Sequence, residues 1–295
     1  REEFARRRSK TLQTNPKAVL DAREEARRYL DAQPEPYRRV ITELADQITV
    51  PPSENLKIAV CIPVAGHQEG GNIYTTLDNY RYQDLPTDQF ELILFVNRPR
   101  VDNSGNAVAA DNTISEIERF QRDHPDIPVR VISKVLEPEE ANMGTIRKMA
   151  TDAALTRTMK RTSTSDVIFV SNDADMKGVS PKYLSTFVSR FESNSSVDAL
   201  LGQLDWDPEG YIEHPAVHIG TRLFQFLGAK GRMVTDRMPS SGANFAFKSS
   251  IYAAIGGYSE NMLGEDIALG EAILLARSTN RDAEKWALDG IGRIK

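Results

Sequence analysis

From residue 57 onward the sequence alternates short unbroken apolar runs with longer amphipathic stretches, a pattern that predicts strands separated by helices. Lys57–Pro63 reads as a buried strand, Phe90–Val96 and Val129–Ser133 as two further strands, and Val167–Val170 as a strand buried on both faces. Between them, residues 72–83 predict a helix with Leu77 and Tyr80 inward. Asp111-Asn112 caps a second helix running to His124, residues 144–161 form a third, and Ser180-Pro181 opens a fourth. Four strands joined by helices of crossover length imply right-handed βαβ units and a mostly parallel sheet. The second half is less regular. It predicts strands over 197–206 and 243–247, helices over 215–227 and 265–277, and a helical turn over 249–254. Ahead of the sheet, Val19, Ala22, Ala26 and Tyr29 share one helical face and Ile41, Leu44 and Ile48 another, with Gln33-Pro34-Glu35-Pro36 between them and Pro51-Pro52-Ser53 as a linker. The expected division is a helical extension over 1–52 and an α/β domain over 53–295.

Composition narrows the class without choosing within it. The chain has 295 residues, 40% hydrophobic and 27% charged, which is ordinary for a globular protein with a sizeable core. A net charge of -5 argues against a nucleic-acid surface. Cys61 is the only cysteine, so no intrachain disulfide or cysteine-rich metal site exists. No apolar run approaches the length of a membrane span and no signal-peptide pattern is present, so a cytoplasmic protein is expected. Arg1 in place of Met is what an excised piece would show, leaving membrane association through regions outside this sequence open. Arg6, Arg7, Arg8 and Lys10 form a basic cluster that fits a solvated helix end better than a lipid site.

The strongest chemical signal is Asn172-Asp173-Ala174-Asp175, at the end of the apolar run 167–170. In extended backbone, residues two apart share a side. Unit charges about 6 Å apart repel by roughly 3 kcal/mol at an effective dielectric near 20. A divalent cation, a cationic group or solvent must offset this. Mg²⁺ and similar ions are held by one or two carboxylates plus substrate phosphates. A solvated turn is the competing reading. Loops after the first, second and fourth strands should converge on one sheet edge, where ligands of open α/β sheets bind. The first such loop, Pro63 to Glu69, offers amides, His67 and a carboxylate, but matches no phosphate-loop pattern. Gly144 and Arg147 open a helix, where the arginine suits either a phosphate or an ordinary ion pair. Gly242 and Asn244 are placed to face a ligand while Phe245 and Phe247 pack inward. Glu265 and Asp266 begin a helix, where acids favour the positive dipole end or serve as a general base.

Taken together these pieces resemble the family 2 glycosyltransferases. The resemblance rests on Cys61-Ile62-Pro63 with its polar loop, Gly144 with Arg147, Asn172-Asp173-Ala174-Asp175, Gly242-Ala243-Asn244, Ile255-Gly256-Gly257-Tyr258 and Gly264-Glu265-Asp266, over residues 57 to 277. It implies a GT-A fold, with a Rossmann-like, mostly parallel central sheet flanked by helices. It also implies sugar transfer from a nucleotide-diphosphate sugar to an acceptor hydroxyl, dependent on Mg²⁺ or Mn²⁺ and inverting. By the same resemblance Pro63, Ala65, Glu69, Asn97, Gly144, Arg147, Asn172 and Asp173 contact the donor. Asp175, with Asp173, holds the metal; Gly242, Ala243 and Asn244 meet the sugar or acceptor; Asp266, beside Glu265, is the base. The sequence departs from the family after the second strand, where Val96-Asn97-Arg98 carries no acid for the nucleotide base. A nucleotidyltransferase would want a basic, glycine-rich first loop, and residues 66–71 contain no Lys or Arg. An inactive binding module on the same sheet is the other rival.

Overall fold

The computed structural model describes residues 21–202, 242–260, 264–278 and 291–294, with isolated positions between 214 and 223. Strands β1 (Ile58–Ala65), β2 (Phe90–Pro99), β3 (Val129–Leu136), β4 (Ile168–Asn172), β5 (Ala199–Gly202), β6 (Asn244–Lys248) and β7 (Ile291–Ile294) form one sheet in the order β3-β2-β1-β4-β6-β5-β7. β1 pairs in parallel with β2 and β4, β2 with β3, and β5 with β7; β6 runs antiparallel to both β4 and β5. That reversal matters for function. Asn244 lies opposite Asn172, so the residues entering β6 arrive at the edge where β1, β2 and β4 end.

Helices cover both faces, as the unbroken apolar strands require. On one face lie α1 (Ala22–Asp31), α2 (Glu35–Asp46), α5 (Met143–Thr158), α7 (Ser249–Ile255) and α8 (Glu265–Ser278), sharing a core with Ala59, Cys61, Ile93, Phe95, Phe169 and Phe247. On the other lie α3 (Ile73–Asp78), α4 (Thr113–Asp123) and α6 (Tyr183–Ser193), against Ile58, Val60, Ile62, Leu92, Leu94 and Val170. Alternation along each strand divides its side chains between the two cores. Ala26, Tyr29, Ile41, Leu44 and Ile48 of the N-terminal segment are buried in the first core, so the hairpin of α1 and α2 is continuous with the sheet's packing.

α5 is buried on nearly all sides, including four charged residues, Arg147, Lys148, Asp152 and Arg157. Each is paired. Arg157 donates to the Glu91 carboxylate through Nε (3.1 Å) and Nη2 (3.1 Å). Asp152 accepts from Lys148 Nζ (2.7 Å) and from the hydroxyls of Tyr29 (3.0 Å), Tyr37 (2.9 Å) and Tyr252 (2.9 Å). This network ties α1, α2 and α7 to α5. Gly257 completes it, with φ of 74° and no space for a Cβ beside the Tyr29 hydroxyl.

Several boundaries differ from expectation. β1, β2 and β3 run on to Ala65, Pro99 and Leu136, because the ladder continues to pair Pro99 with Leu136. The helix expected over 72–83 stops at Asp78 and tightens into a 3₁₀ turn, Asn79–Tyr82. α4 is capped by Asp111, whose Oδ1 accepts from Thr113 N (2.9 Å), while Asn112 makes no side-chain cap bond. α6 starts at Tyr183, with Ser180 one turn earlier accepting at its carbonyl from Tyr183 N (2.9 Å). Val19, residues 203–206 of the expected fifth strand and most of the helix expected over 215–227 lie outside the described residues.

Candidate active site

The carboxyl ends of β1 and β2 set the first wall. Pro63 and Ala65 are half-buried at the end of β1. Gly66 N–H donates to Asn97 O (2.7 Å), and a Cβ on Gly66 would overlap Val96, so only glycine lets the loop turn this closely over β2. Asp111 fastens the far side of the loop, accepting from Gly70 N–H (3.0 Å). Between these anchors stands Glu69, partly exposed. Asn97, expected to contact a donor, is instead buried. Its amide donates to Val64 O (3.3 Å) and Phe95 O (3.1 Å), so it closes the ends of β1 and β2 against each other.

At the end of β4 the two faces diverge. Asn172 is fully buried, lying against the hydroxyls of Tyr80 and Tyr183, and Tyr183 also donates to Asn244 Oδ1 (2.7 Å). Asn172 and Asn244, expected to meet the donor and the sugar or acceptor, are thus both buried. Both amides point into the core, where tyrosine hydroxyls satisfy them. The chain leaves the strand after Asn172, and 174–175 form a turn rather than extended backbone, so the side chains of Asp173 and Asp175 do not follow strand alternation. Asp173 is half-exposed and Asp175 exposed.

Arg147 draws the second wall toward the first. Asn142 caps α5 by accepting from Thr145 N–H (3.0 Å), and Gly144 is buried in the first turn. One turn inside, the buried guanidinium donates from Nη2 to Asp173 Oδ1 (2.8 Å) and from Nε to Glu265 Oε1 (2.9 Å). Nη1 donates to Ser171 Oγ (2.5 Å) and Gly242 O (2.9 Å). Burial opposes its charge, but Tyr258, Asp173 and Glu265 outweigh this and hold the guanidinium above its ordinary pKa. Arg147, expected to contact the donor, here has all three of its nitrogens on protein groups. Gly242 lies flat against it; a Cβ there would overlap the guanidinium. The Gly242 N–H donates to Asp266 Oδ2 (2.7 Å), and Asp266 Oδ1 accepts from Ile267 N–H (2.7 Å). Each Asp266 oxygen keeps a second lone pair for another donor. Ala243, next along, is half-buried. The acids at 173, 265 and 266 thus meet around one arginine and one glycine.

Glu69 reports the field of this edge. Partial burial raises its pKa, and Asp175, Asp111 and Asp173 push the same way against a hydrogen bond from Asn72. Loops after β1 and β4 therefore place like charges close enough to disfavour ionisation. Burial also opposes the charge of Asp111, yet hydrogen bonds from Thr113 and Gly70 bring it below its ordinary value. Ser171 and Asp111 were not expected in the site. Neither has a sequence signal, since one is a serine inside a strand and the other reads as a helix cap.

The sheet and its flanking helices share the GT-A fold with a solved mannosyltransferase. The chain is similar to the mannosyltransferase PcManGT from Pyrobaculum calidifontis, solved in complex with GDP-Man and Mn²⁺, at 17% identity and a TM-score of 0.50 over 86% of this chain and 64% of that one. It is also similar to S. aureus TarS 1-349 in complex with UDP, at 15% identity and a TM-score of 0.46 over 74% of this chain and 55% of that one. A third is glucosyl-3-phosphoglycerate synthase from Mycobacterium tuberculosis in complex with Mn²⁺, UDP-Glc and phosphoglyceric acid, at 16% identity and a TM-score of 0.46 over 86% and 72%. The chain spans just under two thirds of the mannosyltransferase. No protein-family model and no curated protein matches the sequence. Among the described residues no helix is long and apolar enough to cross a membrane.

Proposed function

We propose that this chain transfers a sugar from a nucleotide-diphosphate sugar to an acceptor hydroxyl with inversion, aided by Mg²⁺ or Mn²⁺. The observation that carries the reading is the convergence of Asp173, Glu265 and Asp266 on Arg147 and Gly242, beside the acidic loop bearing Glu69. The mannosyltransferase of the same fold was solved with GDP-Man and Mn²⁺, which supports the choice of donor and ion.

The residues fit a divalent cation. Among the described residues no three His, Cys, Asp or Glu side chains form a ready cage. Ions of this class need only one or two carboxylates when substrate phosphates supply the remaining oxygens. Asp175 is exposed, and the mutual repulsion felt at Glu69 is relieved by positive charge at this edge. Asp175, with Asp173, is the ligand pair. When bound, the ion supplies Lewis-acid stabilisation to the departing diphosphate. Pro63, Ala65 and Glu69 line the nucleotide side. On the other side Asp266 is held in place by two backbone amides and receives the acceptor's hydroxyl proton, while Glu265 stays bound to Arg147. With one base and no protein nucleophile assigned among the described residues, a single displacement inverts the anomeric carbon.

Calorimetry with UDP and GDP, with and without Mn²⁺, tests the reading. Metal-dependent binding of either nucleotide is expected. Binding indifferent to Mn²⁺, or none, would reject it, and metal-dependent binding without transfer from any nucleotide sugar would leave a binding module.

A further inference from the structure

Arg147 joins two acids that belong to opposite halves of the proposed reaction. On one side is Asp173, 37% exposed at its side chain; on the other is Glu265, 9% exposed; the arginine side chain between them is 7% exposed. The arginine therefore approaches Asp173 from the closed interior, and a cation from solvent meets a carboxylate that already has a partner. A second positive charge on Asp173 must share it with the guanidinium or displace it. Displacement cannot stay local. The same guanidinium holds Glu265, Ser171 and the Gly242 carbonyl, and Gly242 N–H is the group that fixes Asp266. The space that glycine leaves at 242 is what lets the guanidinium lie there at all.

Building on the glycosyltransferase reading, we infer that Arg147 is a positioning residue that competes with the metal for Asp173 and thereby couples metal loading to the placement of Asp266. In the metal-free state Arg147 neutralises Asp173 and braces α8. As the ion takes Asp173, the guanidinium shifts its weight to Glu265 and Gly242, and the start of α8 responds.

The test is Mn²⁺ titration of the whole chain by electron paramagnetic resonance, first without nucleotide and then with saturating UDP or GDP, alongside hydrogen exchange at the amides of 265–268, the affinities being compared under whichever condition wild type binds. Arg147→Met should bind Mn²⁺ about tenfold or more tightly than wild type, since a competing charge is gone. Arg147→Lys should gain less, because an ammonium keeps the charge but cannot fork to two carboxylates. Wild type should change exchange at 265–268 on adding Mn²⁺, and Arg147→Met should not. A folded Arg147→Met with equal or weaker Mn²⁺ affinity overturns the inference. Should that variant fail to fold, Gly242→Ala decides by the same criterion, because its methyl displaces the guanidinium with the charge intact. Wild type that binds no Mn²⁺ even with UDP or GDP overturns the glycosyltransferase reading and this inference together. Wild type that binds, with affinities in the variants unmoved, overturns the inference alone.

Discussion

Replacing Asp152 by Asn measures how firmly the N-terminal hairpin belongs to the α/β fold. Asp152 is wholly buried and accepts from Lys148, Tyr29, Tyr37 and Tyr252. Asparagine keeps the shape and removes the charge, leaving Lys148, itself 5% exposed, without its buried partner. Removing one member of such a pair costs about 3–5 kcal/mol. Glu260 lies 4.0 Å from Lys148 but is half-exposed, so its screened attraction recovers little. For a domain of this size each kcal/mol moves Tm by about 2–4 °C, so a fall of roughly 6–20 °C is expected. Urea unfolding followed by circular dichroism gives the free energy directly. The double variant Lys148→Met, Asp152→Asn removes both charges and should recover most of the loss, since replacing a whole buried pair is often neutral. A loss below about 1 kcal/mol in Asp152→Asn, or single effects that add within about 0.5 kcal/mol, would refute the reasoning.

Other outcomes follow from the site and its supports. Asp266→Asn should lower kcat about 100-fold or more while nucleotide affinity holds, and unchanged turnover removes Asp266 as the base. Glu69→Gln should stabilise the protein at pH 7 by about 0.5 kcal/mol or less, the group being partly exposed. The raised Glu69 pKa means the folded state keeps its proton longer than the unfolded one, so the wild-type contribution falls as pH climbs through that window. The advantage of Glu69→Gln should accordingly vanish in melts below about pH 4, and a pH-independent difference contradicts the assignment. Gly202→Ala should cost about 1–3 kcal/mol in denaturant melts, because its methyl overlaps the Asn244 amide that Tyr183 holds; an unchanged midpoint counts against that buried polar network.

The parallel sheet was legible because strands buried on both faces leave unbroken apolar runs, as at Val167–Val170. Helix faces were legible where burial is one-sided, as at Leu77 and Tyr80, both buried. α5 was placed but not understood. A helix buried all round carries no polar face to read, and its charged residues find partners far away in sequence, as Arg147 does at 171, 173, 242 and 265. Asn97 and Asn172 were expected at the donor from the family resemblance, and Asn244 at a ligand from its alternation with Phe245 and Phe247. Here strand-end carbonyls and two tyrosine hydroxyls satisfy them. The hydroxyls of Tyr29 and Tyr37, which join the segment before residue 52 to α5, are contacts that a pattern of apolar positions cannot register.

The tyrosine cluster around Asp152 also sets a clock on biosynthesis. Tyr29 and Tyr252 meet the same carboxylate although about 220 residues of chain lie between them. A ribosome adding roughly 5–20 residues per second needs on the order of 10–40 s to cover that interval. Until then the part of the first helix that faces α7 is uncovered, a natural handhold for a chaperone.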